Sequence, residues 1–208
     1  MTRHAFEVVS SRTEYTGKVL ALRVDEVTMP GDGTAVREVV EHPGAVSVAA
    51  LDDDDRVVMV HQYRHPLRRR LWELPAGLLD VSGEDPVVTA QRELAEEAGV
   101  GARDWAVLVD VAASPGFTDE SVRVYLASGL SEVGRLDGTG DEEADLVVRW
   151  FPLDEAVRMV LAGEVVNAAS VGGILAARLV RSGAAQLRPT DAAWIDRPTA
   201  WAARAAGA

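Results

Sequence analysis

Apolar and polar residues alternate in short runs through the first part of the chain. Phe6-Glu7-Val8-Val9, Lys18 to Met29 and Ala35 to Glu41 carry the two-residue period of strands, and the turn-forming Pro30-Gly31-Asp32-Gly33 separates the last two. They predict a small antiparallel sheet that precedes the main body. Ala45 to Leu51 and Arg56 to Tyr63 predict a hairpin joined by Asp52-Asp53-Asp54-Asp55, and after Leu71-Trp72-Glu73-Leu74 comes a loop from Pro75 to Glu84. The period then changes. Val87, Ala90, Leu94 and Ala98 recur at three- and four-residue spacing, so this stretch is a helix with those residues facing a core. Asp85 caps it, Pro86 suits its first turn and Gly99 ends it.

Beyond Gly99, strand patterns run from Trp105 to Val111 and from Val122 to Ala127, and the polar, glycine-rich Ser131 to Asp145 reads as a mobile loop. Val147 to Phe151 is a further strand, Leu153 to Leu161 a helix, and Asn167 caps a second helix from Ala168 to Val180. Within that second helix, Val171-Gly172-Gly173-Ile174-Leu175 reads as a packing seam. The tail, 183–208, holds Trp194 and Trp201 among alanines and a short helix that packs on the body. Mixed strands with few helices predict an α+β or three-layer α/β/α class with a mixed sheet, plus the small N-terminal antiparallel sheet. The expected division is 1–43 and 44–208.

Composition narrows the class. The chain has 208 residues and no cysteine, which removes disulfides, thiolate ligands and a cysteine nucleophile together. Apolar runs fall short of the ~20 residues that span a bilayer, and the N-terminal stretch lacks the pattern of an export signal, so a cytoplasmic protein with no membrane partner is expected. A net charge of −12 argues against nucleic acid as partner, because polyanion binders need clustered basic surface. A small anionic ligand met by a few arginines and divalent cations remains compatible.

The unusual chemistry sits on the first helix. Glu93 and Glu97 are four apart, which stacks two carboxylates on neighbouring turns at a cost of ~0.2–0.5 kcal/mol. A helix built for stability alone avoids that, so a positive group between them is expected; the plainer alternative is a solvated face on which Arg92 pairs with Glu96. Asp52 to Asp55 lacks the spaced ligands of a calcium loop and reads as a solvated turn. His42, His61 and His65 show no metal-ligand spacing and read as structural, and His4 as a frayed terminus.

From Gly77 to Val100 the chain resembles the box of the Nudix hydrolases: a glycine, a glutamate, then R-E-U-x-E-E-x-G-U, where U is a bulky aliphatic. Every fixed residue from Glu84 to Val100 matches, a long motif compared with short glycine signatures. One departure is visible. Six residues separate Gly77 from Glu84 where the pattern has five, so the turn before the helix is altered while the spacing of Arg92, Glu93, Glu96 and Glu97 is intact. The resemblance implies a loop–helix–loop that binds two or three Mg²⁺ or Mn²⁺ ions, with Glu93 and Glu97 as principal ligands and Glu96 as an auxiliary one. It further implies the backbone carbonyl of Ala76 as a ligand, and Arg92 as the residue that orients carboxylates. Hard divalent cations do prefer such oxygens.

Trp72-Glu73-Leu74-Pro75-Ala76-Gly77, Gln62-Tyr63-Arg64 and Ser114 to Glu120 are similar to the ADP-ribose pyrophosphatase branch of that family, which also carries a proline about sixteen residues beyond the box glycine; here Pro115 follows Gly99 by sixteen. The likeness covers approximately residues 5 to 200. It implies Mg²⁺-dependent hydrolysis of ADP-ribose to AMP and ribose 5-phosphate by a homodimer whose N-terminal sheet crosses to the partner. Arg64 then contacts the diphosphate, and Arg37 reaches the nucleotide from the other subunit. Phe117 and Glu120 lie in a substrate-binding loop; Phe6, Tyr15 and Phe117 are candidates for stacking on adenine. Glu143 is the expected general base, with Glu142 as fallback, on a loop that Gly134, Gly138 and Gly140 allow to close. Two other readings stand beside this one: a pyrophosphatase for another sugar nucleotide such as GDP-mannose, and a nucleotide-sensing module without catalysis, which the presence of Glu93, Glu96 and Glu97 disfavours.

Overall fold

The computed structural model describes residues 4–134 and 145–206. Of the loop expected over Ser131 to Asp145, residues 135–144 lie outside this range, and so do Glu142 and Glu143. The chain divides into two compact units: Met1–Gly44 with Ala112–Ser121 and Ile195–Ala208, and Ala45–Val111 with Val122–Trp194.

In the first unit, β1 (Val8–Thr16), β2 (Ala21–Met29) and β3 (Gly33–Glu41) form the antiparallel sheet β1-β2-β3. Gly31 and Asp32 take positive φ in the β2–β3 turn, as the Pro-Gly-Asp-Gly sequence requires. β1 runs seven residues past the expected Val9. Its polar Ser10 to Glu14 stretch has exposed residues throughout and two register shifts against β2, so there was no alternation to read. The edge of β3 is held by segment 112–121: Val40 N–H donates to the Phe117 carbonyl at 2.7 Å, and His42 N–H to the Asp119 carboxylate at 2.8 Å. A short helix, Ala200–Ala206, joins the same unit through Arg204, which donates to Glu41 (2.8 Å) and Thr13 (2.9 Å).

The second unit holds β4 (Ala45–Ala50), β5 (Arg56–Arg64), β6 (Arg69–Glu73), β7 (Ala76–Leu78), α1 (Pro86–Ala98), β10 (Val147–Pro152), α2 (Leu153–Leu161) and α3 (Ala168–Arg181), with nearly all of β8 (Val100–Ala112) and β9 (Ser121–Glu132). One sheet is antiparallel, in the order β10-β5-β6. The other is mixed, β7-β4-β9-β8, with β4 parallel to β9 and antiparallel to β7. Strand alternation makes two cores. Val46, Val48, Ala50 and Val58 face Ala90 and Leu94 of α1, whereas Ala49, Val57, Met59 and Val124 face Ala156, Met159, Ile174 and Ala177 of α2 and α3. This is an α/β/α sandwich, the expected class.

The expected seam in α3 is real and has a steric reason. A Cβ on Gly173 would lie 2.7 Å from Leu74 and 2.9 Å from Val124, so only glycine lets the helix approach. Asn167 caps α3 by accepting from Ser170 N–H, and the Ser170 hydroxyl accepts from Leu74 N–H at 2.9 Å. α3 therefore fixes the backbone just before β7. The loop expected from Pro75 contains β7, a three-residue strand too short for periodicity to reveal.

Candidate active site

Sequence rules place α1 as expected. The Asp85 side chain accepts from Val87 N–H, Pro86 occupies the first turn, and Gly99, at φ 67°, closes the helix in the left-handed region. Ala90 and Leu94 are fully buried, with Val87 and Ala98 packed beside them. Burying that stripe commits the neighbouring one: Glu97 is only 7% exposed.

β7 receives the two carboxylates. Ala76 N–H donates to Glu97 Oε2 at 3.0 Å, and a Cβ built on Gly77 would overlap the Glu93 carboxyl group, so the box glycine is the space into which Glu93 folds. The extra residue of the box is taken up in the turn before α1. Glu84 N–H closes on Val81 carbonyl at 3.2 Å with Gly83 at positive φ, and Glu84 still accepts from the Thr89 hydroxyl at 2.6 Å. Glu84 also lies 3.5 Å from Arg92.

Arg92 donates to Glu93 at 2.7 Å and to Glu96 at 3.1 Å. It is therefore a positive group between Glu93 and Glu96, not between Glu93 and Glu97, and no ion pair reaches Glu97 among the described residues. Burial pushes the Glu97 carboxyl up to about 8; the Ala76 hydrogen bond opposes this, Glu93 adds to it, Arg64 opposes it and Glu73 adds to it. Burial likewise raises Glu93, against the charge and hydrogen bond of Arg92. Both carboxyls therefore resist ionising, Glu97 the more so because Arg92 contacts Glu93 and not Glu97.

Among the described residues no group of three or more His, Asp or Glu side chains is gathered closely enough to hold a metal ion. The donor set nonetheless fits a hard divalent cation of the Mg²⁺ type, which takes one or two carboxylates and completes its shell with water and substrate phosphate instead of a full protein cage. Glu93 and Glu97 are two such carboxylates closed on β7, and Glu96 shares Arg92 with Glu93.

Arg64, at the end of β5, donates to Glu73 from Nη2 at 2.6 Å and from Nε at 3.1 Å. The family resemblance gives Arg64 a role and Glu73 none, because the burial of Glu73 is visible only once β5 and β6 are paired. In the first unit, Arg37 donates to the Val36 carbonyl at 2.9 Å, the Phe117 ring is exposed, and Glu120 N–H donates to the Thr118 hydroxyl at 3.1 Å. Burial lowers His42, with Glu120 and Asp119 opposing. The structure thus assembles Arg64, Ala76, Arg92, Glu93, Glu96 and Glu97 in one unit, and places Arg37, Phe117 and Glu120 in the other. Glu143 lies outside the described residues. No helix among the described residues is long and apolar enough to cross a membrane.

The chain is 58% identical over 206 residues to an ADP-ribose pyrophosphatase of Mycobacterium tuberculosis, covering 99% of each chain. It is 44% identical over 158 residues to a methanol dehydrogenase activator of Bacillus methanolicus, covering 74% of this chain and 84% of that one. A crystal structure of an ADP compounds hydrolase superposes with a TM-score of 0.75 at 20% identity, over 89% of this chain and all of the other, which shows a shared fold. The model of the NUDIX domain matches residues 34–170, and the chain belongs to the Nudix family.

Proposed function

We propose that this chain hydrolyses the diphosphate bond of ADP-ribose to AMP and ribose 5-phosphate with the help of Mg²⁺ or Mn²⁺. The observation that carries the reading is the pair of carboxylates closed against the Ala76–Gly77 backbone, Glu97 buried and without an ion pair among the described residues, and Glu93 half-buried beside Arg92. The substrate is supported by the near full-length identity to an ADP-ribose pyrophosphatase.

In this reading Glu93, Glu97 and the Ala76 carbonyl hold the cation, with Glu96 as auxiliary. A divalent cation there neutralises charge that builds on the diphosphate as a P–O bond breaks. Arg92 keeps the Glu93 and Glu96 carboxylates oriented. Arg64 meets the diphosphate with a planar guanidinium, the geometry that suits phosphate oxygens. Glu143, or Glu142 beside it, accepts the proton of the attacking water; this assignment rests on its place in an acidic run ahead of β10. Arg37, Phe117 and Glu120 bind the nucleoside and ribose ends.

The active form is a homodimer in this proposal, supported by exposed Val8, Val9, Tyr15 and Val36 on the N-terminal sheet and Phe6 just before it. A cytoplasmic setting, supported by the cysteine-free composition, belongs to the same reading. The test is a product assay with Mg²⁺ across ADP-ribose, GDP-mannose, ADP-glucose and NAD⁺, with Glu97→Gln as control. Preferential release of AMP and ribose 5-phosphate from ADP-ribose is expected. Preference for GDP-mannose would replace the substrate, and binding without cleavage of any would replace the reaction.

A further inference from the structure

Trp72 and Glu73 lie on opposite faces of β6. Trp72 pairs in register with His61 and stacks on its ring, with centroids 4.6 Å apart, in the layer shared with α2 and α3. Glu73 pairs in register with Val60 and points to the α1 side, where it is 1% exposed. A carboxylate so enclosed survives only with charged or hydrogen-bonding partners.

Its partners come from one strand. Gln62 and Arg64 are two apart on β5 and so share a face with Val60 and Glu73. Gln62 Nε2 donates to Oε2 at 3.2 Å, and Arg64 presents both Nη2 (2.6 Å) and Nε to the carboxylate. That side-on fork fixes the plane of the guanidinium as well as its position. The Arg64 side chain nevertheless keeps 41% exposure, so it is gripped along an inner edge while it remains within reach of a ligand.

We infer that Glu73 is a positioning residue that presets Arg64 for the diphosphate, and so governs substrate affinity without touching substrate or cation. The inference rests on the proposed role of Arg64. An arginine surrenders about 2 kcal/mol of rotamer entropy when it is immobilised, and a guanidinium already held by Glu73 surrenders it during folding instead of binding. The same carboxylate excludes lysine at position 64, which has no second donor edge in a fixed plane.

The experiment is a double-mutant cycle on the full chain, with Glu73→Gln, Arg64→Gln and the pair. Two readouts are taken: steady-state hydrolysis of ADP-ribose, and calorimetric binding of its α,β-methylene analogue, which cannot be cleaved. Glu73→Gln is expected to raise KM and the analogue's dissociation constant about tenfold, with kcat within about threefold, and to add less than about twofold in the Arg64→Gln background. Equal losses in both backgrounds, or unchanged affinity in Glu73→Gln, overturn the inference and leave the proposed function standing. If Arg64→Gln itself leaves affinity unchanged, the role of Arg64 fails and the inference falls with it. Should Glu73→Gln not fold, Glu73→Asp, which keeps the charge but shortens the reach, must show the same KM rise and the same dependence on Arg64.

Discussion

Glu97 sets the chemistry of the site at the level of a single residue. Its carboxyl is raised from an ordinary 4.5 to about 8 by burial, so protonation favours the folded chain. The sign follows: without a cation, the chain loses stability through Glu97 as pH rises from about 4.5 towards about 8, and a cation that displaces the proton restores it. Added Mg²⁺ is therefore expected to raise Tm more at about pH 8.5 than at about pH 6.5, and Glu97→Gln to remove most of that difference in thermal-shift measurements. The same substitution is expected to lower turnover by about 10²-fold or more, because a neutral amide is a poor ligand for a hard cation. Gly77→Ala tests the other side of the pair. Its methyl group displaces the Glu93 carboxyl, so activity at fixed Mg²⁺ is expected to fall while far-ultraviolet circular dichroism stays the same. Much of this was legible in the sequence. The spacing of Glu93 and Glu97 pointed to a positive group between them, and the family's box drew attention to Arg92 and Ala76. What spacing could not show was which acid Arg92 takes. Arg92 bridges Glu93 and Glu96 and leaves Glu97 to a backbone amide, a choice made by the packing of α1 on β7.

Elements hold these residues through a few polar and steric locks. α3 seats against β9 and the Leu74 backbone through Gly173 and Ser170, so Gly173→Ala is expected to cost about 1–3 kcal/mol by overpacking, read as a lowered denaturation midpoint. Asp110 on β8 accepts from Arg123 on β9 at 2.8 Å and from Arg188 at 2.9 Å. Burial raises this carboxyl, but the two arginines outweigh burial and hold it below its ordinary value. Its contribution is thus present above that ordinary value and is lost as pH falls through the folded one. Asp110→Asn is expected to cost about 1–3 kcal/mol near neutral pH and to flatten the acid limb of the stability curve. At this scale the strongly periodic segments were readable, since α1 with both its caps, α2 and α3 follow from period and punctuation; the expected hairpin of Ala45–Leu51 with Arg56–Tyr63 did not form, because β4 and β5 turn into different sheets and, among the described residues, only Leu51 and Val57 bridge between them. β7 and the outer half of β1 were not: one is three residues long, and the other is polar on both faces, so neither imposes a pattern that burial would enforce.

At the scale of the whole molecule, the composition pointed to the class and the charge argued against nucleic acid, but the grouping of distant segments could not be read from composition breaks. The first unit gathers Met1–Gly44, Ala112–Ser121 and Ile195–Ala208, held by pairings such as Val40 with Phe117 and Glu41 with Arg204. If its exposed apolar sheet face closes a dimer, removal of the residues before Ala45 is expected to yield a monomer by light scattering with most ADP-ribose hydrolysis lost; a fully active monomer would refute the shared site. The grip of Arg204 on Glu41 has a further consequence, for the order in which the protein is made. Glu41 is 2% exposed and bonded to Arg23 and Arg204, so the sheet can close over this carboxylate only once a segment 163 residues further along the chain has been made. A sheet made of neighbouring strands thereby waits on distant chain for its last ion pair.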